Sequence, residues 1–242
     1  PAGVHRGNHS YCSARSMITV IYLWRISSLK SWRAIWHMAT DRQKLKRDHD
    51  ISFFKLIGTG TGQTFTPRDA DPTLWGLIIT IPEQALAKFD SGSVVSTWRA
   101  FAISEVRYLA TPISSHGKWS GQEPFAVDAE LSKSWQGKVL ALTRAKIHWS
   151  KNLQFWRAVP PVIESLRDCP GVESAIGIGE APIGLQGTLS IWSDGKALRD
   201  FAYKGTAHST VIRQTLSQGW YSEELFARFA LLEVRGSVTR DK

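Results

Sequence analysis

Apolar and polar positions along this chain switch repeatedly between two periods. From Met17 to Trp24, "MITVIYLW", β-branched and aromatic residues follow one another without a break, which predicts a buried strand. Leu29, Trp32, Ile35/Trp36 and Ala39 then recur at helical spacing and predict a helix over 29–46. Strands are predicted at 51–58 and 73–81, a helix at 94–104 with Ser93 as its N-cap, and a strand at 107–113. The succession then repeats. "VLALTRAKI" (139–147) predicts a strand, and about 151–167 a helix that Pro160 and Pro161 must break or kink. Strands at 172–179 and 187–192, a helix at about 207–218 and a strand at about 226–235 complete it.

The two halves also share local words. "SWRAIW" (31–36) and "FWRAVP" (155–160) sit on the first helix of each half, and each half then has a strand ending in G-x-G: Gly58 and Gly60, then Gly177 and Gly179. The matching order points to a duplication. Each half reads as βαββαβ, a ferredoxin-like unit. The expected fold class is α+β: tandem ferredoxin-like repeats forming a dimeric α+β-barrel-like fold within one chain. The expected division is a leader or remnant at 1–16, a first unit at 17–115, a Gly/Ser-rich linker at 116–137 and a second unit at 138–242.

Composition adds little to the fold and more to the partners. The net charge of +9 suits an anionic surface or ligand. Between Arg25 and Lys55, eight basic residues face Asp41, Asp48 and Asp50. No RNP, zinc-finger or G-x-x-G pattern accompanies them, so nucleic acid is not the expected partner; a solvated helix face or a membrane-surface patch is. Two cysteines, Cys12 and Cys169, form no disulfide framework and fit a reducing, cytoplasmic setting. "MITVIYLW" is too short to span a bilayer. Eleven tryptophans point to greasy pockets or interfaces as well as core.

Few motifs carry chemistry. "GTGTGQTFTP" (58–67) lacks both the G-x-G-x-x-G spacing and a Walker lysine, so its glycines read as a strand-to-loop turn. No nucleophile elbow is present. Glu223 and Glu224 in "WYSEELFARF" read as the cap or solubilising end of a helix. The seven histidines show no H-x-x-x-H spacing, which disfavours a multi-histidine zinc site. A haem iron needs only one imidazole. His208 is the best single-ligand candidate, near a helix start after an aromatic, strand-like stretch with Phe201 and Tyr203; spacing alone leaves core, cap and ligand roles open.

The blocks "FFKLIGTGTGQTFTP", "GKWSGQEPF", "ALTRAKI", "FWRAVP", "GIGEAPIGLQGTLSIW", "FAYKGTAH" and "GWYSEELFARF" occur in order over nearly the whole chain. Together they resemble the spheroidene monooxygenase family of carotenoid biosynthesis. The resemblance implies a dimeric α+β-barrel and a haem b enzyme that inserts oxygen from O2 at an allylic carbon of an acyclic carotenoid, a second round giving a ketone. It implies His208 as the iron ligand, a redox donor such as ferredoxin, and peripheral contact with a membrane. Arg144 is either a partner for a haem propionate or a strand-end surface charge, and Lys55 is a similar candidate. Phe155, Trp156, Trp192 and Tyr203 are candidates to line the cavity, a plain aromatic core being the alternative for at least two of them, with Gln186 and Glu180 as polar groups near it. The family's tryptophan near Gly236 is missing here, which leaves room for dehydration or N–O chemistry on the same haem barrel, or for a non-catalytic barrel that binds an apolar ligand.

Overall fold

The computed structural model describes residues 16–60, 69–148, 166, 169–180, 187–204 and 221–238. In the first half, strands β1 (Met17–Ile26), β2 (Phe53–Gly60), β3 (Ala70–Pro82) and β4 (Ala102–Gly117) alternate with helices α1 (Ser31–Arg47), α2 (Leu86–Asp90) and α3 (Ser93–Phe101). A short helix α4 (Ala129–Ser134) leads into β5 (Val139–Ile147), β6 (Val172–Gly179), β7 (Gly187–Trp192), α5 (Gly195–Lys204) and β8 (Tyr221–Gly236). The eight strands close into one barrel in the order β1-β3-β2-β6-β7-β5-β8-β4, every neighbour antiparallel. Each half contributes the same internal order, β4-β1-β3-β2 and β8-β5-β7-β6, so the expected tandem ferredoxin-like barrel is what the chain forms.

The two seams between the halves differ greatly in length. β4 and β8 pair from Val106 opposite Gly236 to Gly117 opposite Leu225. β2 and β6 meet only at Gly58–Gly60 against Gly179–Gly177. The two G-x-G words of the sequence are therefore each other's hydrogen-bonding partners, and they close the barrel on its short side.

Strand alternation sorts the apolar residues into two clusters. Ile21, Leu23, Ile78, Leu140, Leu142, Leu189, Leu225 and Phe229 point inward and fill the barrel. Val20, Tyr22, Trp24, Leu56, Leu77 and Ile79 point outward from the first sheet and meet Ala34 and Leu45 of α1 and Val95, Trp98 and Phe101 of α3. Trp24 stacks on Trp98 with centroids 5.0 Å apart. Each such buried side chain contributes about 1.5–3 kcal/mol. The single buried carboxylate of α1, Asp41, accepts from Lys44 at 2.8 Å and from the Trp98 indole at 3.2 Å.

Four expectations need correction. The α1 stripe of Leu29, Trp32, Ile35 and Trp36 faces solvent, and the helix is held instead by Ala34, Asp41 and Leu45. The helix predicted to Ser104 ends at Phe101, because β4 already pairs with β1 from Ala102. Phe201 and Tyr203 lie in α5 and not in a strand; Asp194 starts that helix by accepting from the backbone N–H groups of Lys196 and Ala197, both at 2.8 Å. Glu223 and Glu224 belong to β8, where Lys146 and Ala145 of β5 pair with them. Among the described residues no helix is long and apolar enough to cross a membrane.

Candidate active site

Both mouths of the barrel are closed by an arginine two residues beyond an inward leucine on the first strand of each unit. Arg25 follows Leu23 on β1 and donates to Asp71 and Thr73, each at 2.8 Å. Arg144 follows Leu142 on β5, and only 6% of its surface is exposed. The surface-charge reading of Arg144 is thereby corrected: the duplicated fold turns it into the barrel. In both arginines, as in Arg107 of β4, the Nε is buried without a partner among the described residues.

The Arg144 mouth carries the richer set of groups. Arg144 bonds Glu223 through Nη1 and Glu180 through Nη2, the latter at 3.2 Å. Glu180, just past β6, also accepts from Lys55 at 2.7 Å and from the Trp119 indole at 2.5 Å. Glu223 accepts from the backbone N–H groups of Ser120 and Gly121 at 2.9 and 2.6 Å, and Lys55 donates to the Ser120 hydroxyl at 2.6 Å. Lys55 and Arg144 both lie over the Trp119 ring, each 5.7 Å from its centroid. The stretch 118–122 is thus strapped across the opening, with Trp119 buried as its plug. Gly117 makes the strap possible: its φ is +91°, and a Cβ there would collide with the Glu224 carbonyl. Behind the plug, a crevice is walled by Ile57, Trp119, Arg144, Ile178, Gly179 and Glu180.

Burial alone would raise the pKa of Glu180, but hydrogen bonds from Lys55 and Trp119 and the charges of Lys55 and Arg144 outweigh it and hold it below the ordinary glutamate value. Glu223 is likewise pushed up by desolvation and pulled further down by the Gly121 and Ser120 N–H groups and Arg144. A depressed carboxylate stabilises the fold above its unfolded pKa and loses that contribution as pH falls through the folded one. Acid titration of the melting temperature is therefore expected to show a loss below the ordinary glutamate range. Glu180→Gln should flatten that slope; an unchanged slope would show that the mouth network carries no such coupling.

The outer faces of the two sheets contrast. Matched strand for strand, the first sheet presents the rows Phe54-Ile79-Val20-Leu109 and Leu56-Leu77-Tyr22-Arg107. The second presents Ala175-Ser190-Ala141-Arg228 and Gly177-Thr188-Thr143-Phe226. Large side chains cover the first face; on the second, β5, β6 and β7 present small ones, with Arg228 and Phe226 of β8 along the edge. Thr143 and Thr188 hydrogen-bond to each other across the second floor, and Trp192 bounds it, its indole bonded to Ser190 at 2.9 Å and its ring 5.3 Å from Phe201.

The structure therefore brings Lys55, Arg144 and Glu180 together at one mouth and places Trp192 at the edge of the shallow face. Both cations are met by the chain's own carboxylates. Tyr203 belongs to α5, while His208, Phe155, Trp156 and Gln186 lie outside the described residues. Trp119 and Glu223 are functional candidates that residue-by-residue reading missed, although both fall inside the distinctive blocks "GKWSGQEPF" and "GWYSEELFARF". Among the described residues no cluster of three or more His, Cys, Asp or Glu is placed to hold a metal ion.

Comparison with solved structures agrees with the fold. An aldoxime dehydratase in complex with butyraldoxime superposes with a TM-score of 0.55 over 91% of this chain and 81% of its own, at 10% identity. A second aldoxime dehydratase structure gives 0.51 over 89% and 81%, at 11% identity. No family model matches the chain. Curated relatives are closer in sequence. A spheroidene monooxygenase of Rhodobacter capsulatus is 36% identical over 202 residues, 83% of each chain. Those of Rubrivivax gelatinosus and Cereibacter sphaeroides are 35% and 33% identical over 76% of this chain, covering 70% and 57% of their own. With the duplicated barrel and this identity along most of its length, the chain belongs to the spheroidene monooxygenase family of oxidoreductases.

Proposed function

We propose that the protein hydroxylates an allylic carbon of an acyclic, spheroidene-like carotenoid, using haem b held on the outer face of the second sheet with His208 as its protein ligand. The observation that carries this reading is the contrast of the two outer faces. A duplicated fold packs Ile79, Val20, Leu77 and Tyr22 against helices on one side and floors the other with Ser190, Ala141, Thr188 and Thr143. The names of the curated relatives supply the substrate class.

Haem, when bound, supplies O2 activation and one-electron chemistry that amino-acid side chains lack. The balance is R–H plus O2, two electrons and two protons giving R–OH and water; a second round on the same carbon and loss of water give a ketone. The electrons come from an external donor of the ferredoxin class. The chain's own part is to position and to exclude water. Ala141, Thr143, Ala175 and Gly177 form the floor, and Trp192 and Phe201 form an apolar edge. The barrel interior behind that floor is filled by Leu140, Leu142 and Leu189, so substrate binds on the outer face and not inside the barrel. Lys55 and Arg144 lock the mouth through Glu180 and Glu223, which keeps β5, β6 and β8 in register beneath the site. A cytoplasmic location suits an enzyme that draws on soluble electron donors.

The test is the absorption spectrum of the purified protein after haem supplementation. A Soret band is expected, and its position should shift or vanish in His208→Ala. A native spectrum in that variant rejects the ligand assignment; absence of any Soret band in the wild type rejects the haem reading. Turnover of substrate under nitrogen would reject oxygenation in favour of dehydration or N–O chemistry.

A further inference from the structure

The exposed side of α1 has a composition that a solvated helix does not need. Leu29, just before it, is 85% exposed, and Trp32, Trp36 and Ile35 are 68%, 65% and 55% exposed. With Ala39 they form one outward stripe over the N-terminal turns, opposite the buried Ala34, Asp41 and Leu45. The same outward side continues, over the C-terminal turns, with the exposed Arg42, Lys46 and Arg47. Among the described residues these three cations form no ion pair, nor does Lys30, while Arg33 lies over the Phe101 ring at 5.1 Å. Two indoles and two aliphatic side chains held in water, beside an unpaired cationic run, mark an interaction surface.

We infer that α1 docks the protein on an anionic lipid bilayer, lying in the interface with Leu29, Trp32, Ile35 and Trp36 among the acyl-chain boundary and Lys30, Arg42, Lys46 and Arg47 at the headgroups. Charge decides between lipid and other occupants: the chain is +9, and Lys30, Arg42, Lys46 and Arg47, without an ion pair among the described residues, lie on or beside the helix that also exposes the apolar groups. Tryptophan suits this depth because its ring is apolar and its N–H can meet a headgroup oxygen. The helix is rooted in the core by Leu45 and by Asp41 bonded to Trp98, so the whole barrel follows it to the surface. This inference does not depend on the haem or oxygenase reading, and its test uses no substrate.

The measurement is partition of the full chain onto vesicles of phosphatidylcholine with and without about one-third phosphatidylglycerol, at about 0.1 M salt. Binding is expected to the anionic vesicles. Trp32→Ser/Trp36→Ser and, separately, Arg42→Glu/Lys46→Glu should each weaken it about tenfold or more. Brominated lipids should quench tryptophan emission in the wild type, and much less in Trp32→Phe/Trp36→Phe, a variant that keeps the apolar face and still binds. No vesicle binding by the wild type, equal binding by the serine variant, or undiminished quenching in the phenylalanine variant would overturn the inference. So would a lipid-free dimer that the serine variant converts to monomer, because the face would then belong to a second copy.

Discussion

Arg144→Met is expected to lower the stability of the apo-protein by about 2–3 kcal/mol. That is a drop in Tm of about 4–12 °C for a domain of this size. Among the described residues Arg144 is the one group that bonds both Glu180 and Glu223. Its removal leaves two partly buried carboxylates with half of their countercharge, since among the described residues Lys55 pairs with Glu180 and not with Glu223. The cost sits at the lower end for buried pairs because Glu180 and Glu223 keep 27% and 18% of their side-chain surface in contact with water. Neutralising the partners separates charge from packing. Arg144→Met combined with Glu180→Gln and Glu223→Gln should recover most of the lost stability, because the amides carry no charge to strand. Thermal melts of the wild type, Arg144→Met and the triple variant decide it. A triple variant no more stable than Arg144→Met would mean that the guanidinium acts by shape alone.

Thr143→Leu/Thr188→Leu is expected to reduce haem uptake about 100-fold, equivalent to about 3 kcal/mol, with little change in the apo-protein's melting temperature. The pair lies at the centre of the shallow face, and two leucines raise that floor toward the profile of the first sheet's Leu77 and Tyr22. If helices already fill the space above Thr143 and Thr188, the added methyl groups clash, and the apo-protein loses about 1–3 kcal/mol instead. Haem titration and apo-protein melting, measured on the same preparation, distinguish the two. Strong destabilisation with unchanged haem affinity would place the cofactor elsewhere.

The duplication was legible because both copies write the same succession of periods. β5, β6 and β7 span the residues expected from alternation alone. What escaped was set by partners distant in sequence. β4 looked short because Ile103 and Ser104 read as the end of a helix and "SSHG" is polar, yet β1 pairs from Ala102 and β8 pairs along "SSHG". Glu223 read as a helix cap because a carboxylate near a helix-like pattern usually is one; its actual partner, Arg144, is 79 residues away. Trp119 sat in a Gly/Ser-rich stretch that looked like a tether, and nothing local says that its indole would reach Glu180. The α1 stripe shows the limit most directly. Helical spacing was legible, but not which side faces the core: Ala34 and Leu45 pack inward beside Asp41, which bonds Trp98, and the tryptophans face out.

The unequal outer faces bear on how many sites one barrel holds. A barrel assembled from two identical chains repeats every substitution across its axis, so a floor cleared for a ligand is cleared twice, and both sheets give up their helix packing. Here the two halves are written separately in one chain, and each residue of the floor is chosen once. One sheet keeps Tyr22, Trp24 and Trp98 as a rigid anchor, while its counterpart keeps alanines and threonines. The expected stoichiometry is one cofactor per chain, and a second equivalent of haem should find no vacancy on the Trp24 side.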